Sequence, residues 1–274
     1  MRRWLLILLV LGFDPPAAQL NTWSPSKPAA DPVRVCADPG NLPFSNQQHQ
    51  GFENRLARML ADALGAPLEF TWWPQRLGFI RHTLESGRCD VIMGYPSNAD
   101  NVLTTVPYYR STYVFVTRRD LGMQLSGLDD ERLRRLRIGV QLIGDDGANA
   151  PPAHALSRRG IIANLVGFPV YADAGRQTSA IIDAVAEGRI DVAAAWGPTA
   201  GYFAGRQQVP LDVSPISPRV DGALPETFDI SMAVRRGDIR RRERLDQFIR
   251  RHRVGIAKLL NEYRVPQLAL DGRR

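Results

Sequence analysis

Lysine is almost missing from this chain. Lys27 and Lys258 are the only two, so nearly all of the 35 basic residues are arginine. Cysteine is scarce too: Cys36 and Cys89 stand alone. Two cysteines exclude a disulfide-dense scaffold and an all-cysteine zinc site, and their spacing excludes a C-x-x-C redox motif. The four histidines, His49, His82, His154 and His252, are isolated and lack metal-ligand spacing. There is no H-E-x-x-H, no G-x-S-x-G, no P-loop and no G-x-G-x-x-G. Carboxylates adjoin at Asp129-Asp130 and Asp145-Asp146, but sequence neighbours do not by themselves make an acid–base pair. No catalytic residue and no metal ligand is assigned, and the chain reads as a non-enzyme.

Long apolar runs are also lacking. None reaches the roughly 18 residues of a transmembrane helix, so no stable membrane insertion is expected. The longest run, Trp4 to Phe13, follows Arg2 and Arg3 and precedes Ala17 and Ala18. That layout predicts a secretory signal over residues 1–20, cleaved between Ala18 and Thr22, and hence a periplasmic protein. Pro25, Pro28 and Pro32 predict a disordered tether over 21–32. Without the signal the remaining chain, 44% hydrophobic overall, suffices for one large or two modest domains. The net charge of +7 suits anionic or acidic partners, but export argues against nucleic acid. The runs Arg240–Arg244 and Arg250–Arg253 sit on a predicted terminal helix and read as a solvated face.

The periodicity then restarts midway. Strands are predicted at 33–37, 68–72 and 90–94, with helices between them, and a fourth strand at 113–117. Strands at 137–141, 165–166 and 191–195 repeat the pattern, again separated by helices. L-E-S-G-R-C-D-V-I-M-G at 84–94 matches V-A-E-G-R-I-D-V-A-A-A at 185–195. Two β-α-β-α-β units in tandem predict an α/β fold of two lobes, each a mixed, mainly parallel sheet flanked by helices. A strand at 228–234 and an amphipathic helix capped by Asp238 return to the first lobe. The expected division is 33–118 plus 224–274 for lobe one and 119–223 for lobe two, with crossings near 117–122 and 212–226.

Ligands of open α/β sheets bind beyond the carboxyl ends of the strands. That rule selects Asp38, Asn41 and Phe44 after the first strand, Trp73 and Arg76 after the second, and Tyr95 after the third. Tyr108 and Arg110 precede the fourth. In lobe two it selects Asp145, Asp146 and Asn149, then Trp196 and Tyr202. Facing lobes would gather these around a cleft for a ligand or partner. Asp146 or Asn149 reads equally well as a cap of the following helix.

Several long motifs point one way. They include V-R-V-C-A-D-P at 33–39, L-P-F-S-N at 42–46, G-F-E-N at 51–54 and T-W-W-P-Q-R at 71–76. P-Y-Y-R-S-T-Y-V-F-V at 107–116, W-G-P-T-A-G-Y-F-A at 196–204 and F-D-I-S-M-A-V-R-R-G-D at 228–238 follow. Together they resemble the solute-binding-protein-like family associated with quinoprotein dehydrogenases, the MoxJ/XoxJ-type proteins of methanol dehydrogenase clusters. The resemblance covers nearly the whole mature chain. It implies a type II periplasmic binding protein fold. It also implies an accessory role beside a pyrroloquinoline-quinone (PQQ)-dependent alcohol dehydrogenase and its c-type cytochrome, assisting maturation or activation. The quinone and its metal would belong to the partner, so no cofactor is expected here.

Amino-acid binders of this fold often carry an arginine after the third strand. The corresponding loop, P-S-N-A-D-N at 96–101, has none; Arg76 or Arg110 would have to substitute. Two other functions stay open: a transporter's receptor for a small non-amino-acid solute, and a dehydratase-like enzyme casting Asp38, Asp145 and Arg76 as its polar groups. Cys36 lies late on its strand and Cys89 begins its own. That offset suggests a separation beyond the roughly 7 Å disulfide limit and favours free thiols over the disulfide that an oxidising periplasm would also allow.

Overall fold

The computed structural model describes residues 31–143, 148–170 and 177–270. Lobe one is built on β1 (Val33–Ala37), β2 (Leu68–Trp72) and β3 (Val91–Pro96). β1 lies between the other two and is parallel to both, with Val35 opposite Phe70 on one side and Val91 on the other. Parallel strands need helical crossovers. The first is α1 (Phe52–Leu64), where Phe52, Leu56 and Leu60 recur at helical spacing and are fully buried. Each such side chain contributes about 1.5–3 kcal/mol through removal from water. Gly65, in the left-handed conformation at φ 60°, ends the helix.

The second crossover is shorter than its apolar pattern suggests. α2 spans only Phe79–His82, because Gly78 enters it at φ 86° and turns continue to Gly87.

Lobe two repeats the plan. β5 (Ile138–Ile143) lies between β6 (Leu165–Pro169) and β7 (Val192–Trp196), parallel to both. Helices α3 (Pro151–Arg158), α4 (Ala180–Ala186) and α5 (Gly197–Ala204) cover its faces. Pro151 and Pro152 open α3, where a missing N–H costs nothing. Asn149 does not cap it: Ala150 holds the cap position and no side chain bonds there. Asp146 lies outside the described residues.

One strand belongs to both sheets. β4 (Tyr109–Arg118) pairs antiparallel with β9 (Thr227–Val234) through residues 109–112, then with β7 through 113–117. β8 (Leu211–Pro215) flanks its second half. The first passage between lobes is therefore within β4, at Thr112–Tyr113, earlier than the region the sequence suggested. The reason is burial. Tyr113 and Phe115 pack into one side of the lobe-two core and Val114 and Val116 into the other, so the strand runs straight on.

The chain returns through residues 216–226, and β9 pairs antiparallel with β3. α6 (Ile239–Glu262) then seals lobe one with Leu245, Phe248, Ile249, Ile256, Leu259 and Leu260. The Asp238 side chain accepts the Arg241 N–H at its start, the capping role the sequence indicated. Among the described residues no helix is long and apolar enough to cross a membrane.

The cysteines correct an expectation. Cys36 and Cys89 form a disulfide, with Cα atoms 5.3 Å apart. Register alone places Cys36 opposite Ile92. Cys89, however, precedes β3 in a bent segment rather than on the extended strand. The Asp90 N–H bonds the Arg34 carbonyl at 2.8 Å, and the bend folds Cys89 back toward β1. Strand offset measured along a straight line overestimates the separation.

Candidate functional site

The loop after β1 builds one wall of the inter-lobe space. Gly40–Asn46 closes as a tiny hairpin, with Gly40 opposite Asn46. The Asp38 carboxylate accepts backbone N–H groups from Gly40 at 2.8 Å and Gln75 at 2.6 Å, joining this loop to the one after β2. Burial raises the Asp38 pKa; the two N–H groups and the nearby Arg76 charge pull the other way. The same loop holds the start of α1. Phe52 and Glu53 donate their N–H groups to the carbonyls of Pro43 and Phe44 at 2.8 and 2.9 Å. Gly51 is needed at this crossing, since a Cβ there would lie 2.0 Å from the Phe44 oxygen.

A cavity of about 450 Å³ lies between the lobes. Lobe one contributes Asn41, Phe44 and Glu53. β4 contributes Tyr109 and Tyr113, four residues apart and so on one face of the strand. Lobe two contributes Gln141, Trp196 and Thr199. Tyr113, Trp196 and Phe228 form an edge-to-face cluster with centroids 5.2–6.4 Å apart. The Gln141 side-chain oxygen accepts the Trp196 N–H at 2.7 Å and fixes the start of α5.

Among the described lining residues, Glu53 is the acidic group. Gly94 makes room for it: a Cβ there would lie 2.0 Å from the Glu53 Oε1. Burial, followed by the Asp38 charge, pushes its pKa up to about 8. The side chain is half-buried and forms part of the cavity lining. Burial, with Glu53 also contributing, drives the hydroxyls of Tyr108 and Tyr109 well above their ordinary value. A second unusual acid sits at the passage between lobes. The Glu226 side chain is fully buried with neither oxygen hydrogen-bonded. Burial first, then the Asp221 charge, raises it to about 7.

Of the residues chosen from the sequence, the structure brings Asn41, Phe44, Tyr95 and Trp196 to the cavity. Asp38 stands behind them, buried, as an anchor of loops. Trp73 instead stacks on His82 at 4.9 Å and packs by the disulfide. Tyr108 is a core residue whose hydroxyl donates to the Met93 carbonyl at 2.9 Å. Arg110 grips Asp229 in a two-pronged pair at 2.5 and 3.0 Å. Tyr202 stacks on Tyr263, under the Arg206 guanidinium. Asn149 pairs with Leu142 at a sheet margin, and Arg76 lies close enough to Asp38 to favour its charge. Asp145 and Asp146 lie outside the described residues.

Glu53, Tyr109, Tyr113, Gln141 and Phe228 escaped the strand-end rule because they sit inside strands or a helix rather than on loops. The signal for Glu53 was an acid in the first turn of α1, where acids are ordinary.

Two lobes, a strand shared between them and a cleft at their junction define the fold of the periplasmic binding proteins. The chain belongs to the bacterial extracellular solute-binding proteins, family 3, whose model matches residues 33–263. Within that class it is similar to Protein MoxJ of Methylorubrum extorquens, at 30% identity over 90% of this chain and 85% of the relative. It is likewise similar to Protein MoxJ of Paracoccus denitrificans, at 29% identity over 92% and 95%. Among solved structures it matches the periplasmic binding protein XoxJ from Methylobacterium extorquens AM1. The TM-score is 0.72 and the identity 36%, covering 87% of this chain and all of that one.

Proposed function

We propose that the mature chain works in the periplasm as an accessory protein that binds a PQQ-dependent, methanol-type alcohol dehydrogenase and assists its maturation or activation. The observation that carries this reading is the end-to-end similarity to the MoxJ proteins. The motifs behind it run from β1 to α6 rather than clustering at one ligand loop. The N-terminal signal is cleaved to release the chain. The two lobes share β4 as their pivot, its first residues paired in the sheet of lobe one and the rest in that of lobe two. The chain itself performs no chemistry. It acts by differential affinity: the cleft and its rim fit one state of the partner better than another and shift its population toward that state.

Deleting the gene tests this in the source organism. The expected result is dehydrogenase polypeptide at normal abundance but with reduced activity, restored by the chain supplied in trans. Unchanged specific activity of the dehydrogenase would overturn the reading.

The 450 Å³ cavity favours a second reading, a transporter's receptor for a small solute that is not an amino acid. In that case the lobes close on the solute. Loss of uptake of one solute on deletion, with dehydrogenase activity intact, would select it.

A further inference from the structure

The cleft has a chemistry of its own that the partner reading does not use. Its described lining is rich in rings: Phe44, Tyr95, Tyr109, Tyr113, Trp196 and Phe228. Its described polar groups are amides and hydroxyls, such as Asn41, Gln75, Gln141 and Thr199, and a single acid, Glu53. Among the described lining residues there is no Arg, Lys or His. No described side chain donates a hydrogen bond to Glu53, and Gly94 leaves its carboxyl the space it occupies.

We propose that the inter-lobe cleft binds an amphipathic organic amine lacking a carboxylate, with its ammonium group against Glu53 and its apolar body against the Tyr113–Trp196–Phe228 cluster. An aromatic wall attracts cations through the negative ring faces. A carboxylate with no hydrogen-bond partner among the described residues supplies the opposite charge. Tyr109 and Tyr113 lie on one strand face four positions apart, about 13 Å at strand spacing. That separation suits a ligand with a charged end and an apolar end better than a compact ion.

The alternative is an uncharged ligand that accepts a hydrogen bond from protonated Glu53, whose pKa burial and the Asp38 charge push up to about 8. Magnitudes favour the amine. Removing the proton at pH 7 costs about a factor of ten in affinity. A cation within about 4–6 Å lowers a carboxyl by about 1–3 pH units, which offsets that factor or exceeds it. Among the described residues, the groups acting on or sensing Glu53 are Asp38 from the loop after β1, Tyr108 just before β4, and Tyr109 at its start. Tyr108 and Tyr109 stay neutral, while Asp38 adds a negative charge that the nearby Arg76 guanidinium partly offsets.

Three probes of one shape separate the cases: phenethylamine, 2-phenylethanol and phenylacetate. Each is titrated into the purified mature chain by calorimetry at about pH 6 and about pH 8. The expected order of affinity is amine, alcohol, acid. Amine affinity should rise about tenfold or more between the two pH values, with proton release on binding. Glu53→Gln should remove both the advantage of the amine over the alcohol and its pH dependence, while leaving alcohol affinity within about threefold. The amine binding no better than the alcohol, or tightest binding of phenylacetate, overturns the proposal. So does an unchanged amine affinity in Glu53→Gln, or no amine binding at all. Because only the isolated chain is used, none of these outcomes bears on whether a dehydrogenase is its partner.

Discussion

Tyr202 of α5 lies flat on Tyr263 at the end of α6, with centroids 5.6 Å apart and planes within 12°. One ring belongs to a lobe-two helix and the other to the helix that closes lobe one. The pair is therefore a clasp between lobes, separate from the strands that cross at Thr112–Tyr113. The Tyr263 hydroxyl donates to the Gln50 carbonyl at 2.6 Å, which ties the clasp to the start of α1.

Tyr263→Ala removes the stack, the hydrogen bond and a buried ring together. The expected loss is about 3–5 kcal/mol. It should be seen as a lower denaturant midpoint, with lobe two retaining more structure than lobe one at intermediate denaturant. A loss under about 1 kcal/mol would mean that the clasp is dispensable.

Reduction should weaken lobe one selectively. The Cys36–Cys89 bridge closes a separation of 53 residues, for which loop-entropy reasoning gives about 4 kcal/mol. Cys36→Ser with Cys89→Ser, compared with wild type in urea, should lose about 2–4 kcal/mol. Reductant should lower the wild type by a similar amount and leave the variant unchanged.

Stability should peak on the acid side of neutrality. Glu53 and Glu226 hold their protons more tightly folded than unfolded, at about 8 and about 7 against the usual 4.5. Their ionised forms therefore oppose folding. Stability is undiminished by them below about pH 4.5 and falls as pH rises through 7 and 8. Asp90 works in the opposite sense. Burial alone would raise it, but hydrogen bonds from Arg34, Arg235 and Arg241 bring it to about 2. Asp221, bonded first by Arg159 and also by Arg158, likewise falls to about 2. Their contribution is present above the usual 3.8 and is lost as pH drops through 2. A thermal series should show its maximum near pH 4–5. Glu226→Gln should gain about 1–3 kcal/mol at pH 8 and little at pH 5. A variant no more stable than wild type at pH 8 would contradict the buried-charge account.

Gly51→Ala tests the loop that positions Glu53. The added Cβ meets the Phe44 backbone, which cannot swing aside as a side chain can. The expected cost is about 1–3 kcal/mol, measured by thermal unfolding. A neutral substitution would show that the loop is softer than its hydrogen bonds suggest.

Much of this architecture was legible in the residues. The repeated Gly-Arg and Asp-Val steps at 87–91 and 188–192 mark equivalent positions in two sheets, and β3 and β7 begin just there. The Asp238 cap and the apolar stripe of α6 were also readable. The cleft was less so. Strand-end reasoning reached Asn41, Phe44, Tyr95 and Trp196, but not Tyr109, Tyr113 and Phe228. Those three line the cavity because β4 and β9 run through the junction, a consequence of how the two sheets join rather than of local pattern. The disulfide was hidden for a similar reason: a bend before β3 leaves no periodic trace.

The central claim is that this chain is a binding partner of a dehydrogenase. A native mass spectrum of the purified mature chain mixed with the dehydrogenase from the same source tests it most directly. The account predicts a complex of the two proteins, with different occupancy for the PQQ-free and PQQ-loaded forms. A spectrum containing only the separate proteins, in both forms, would contradict it.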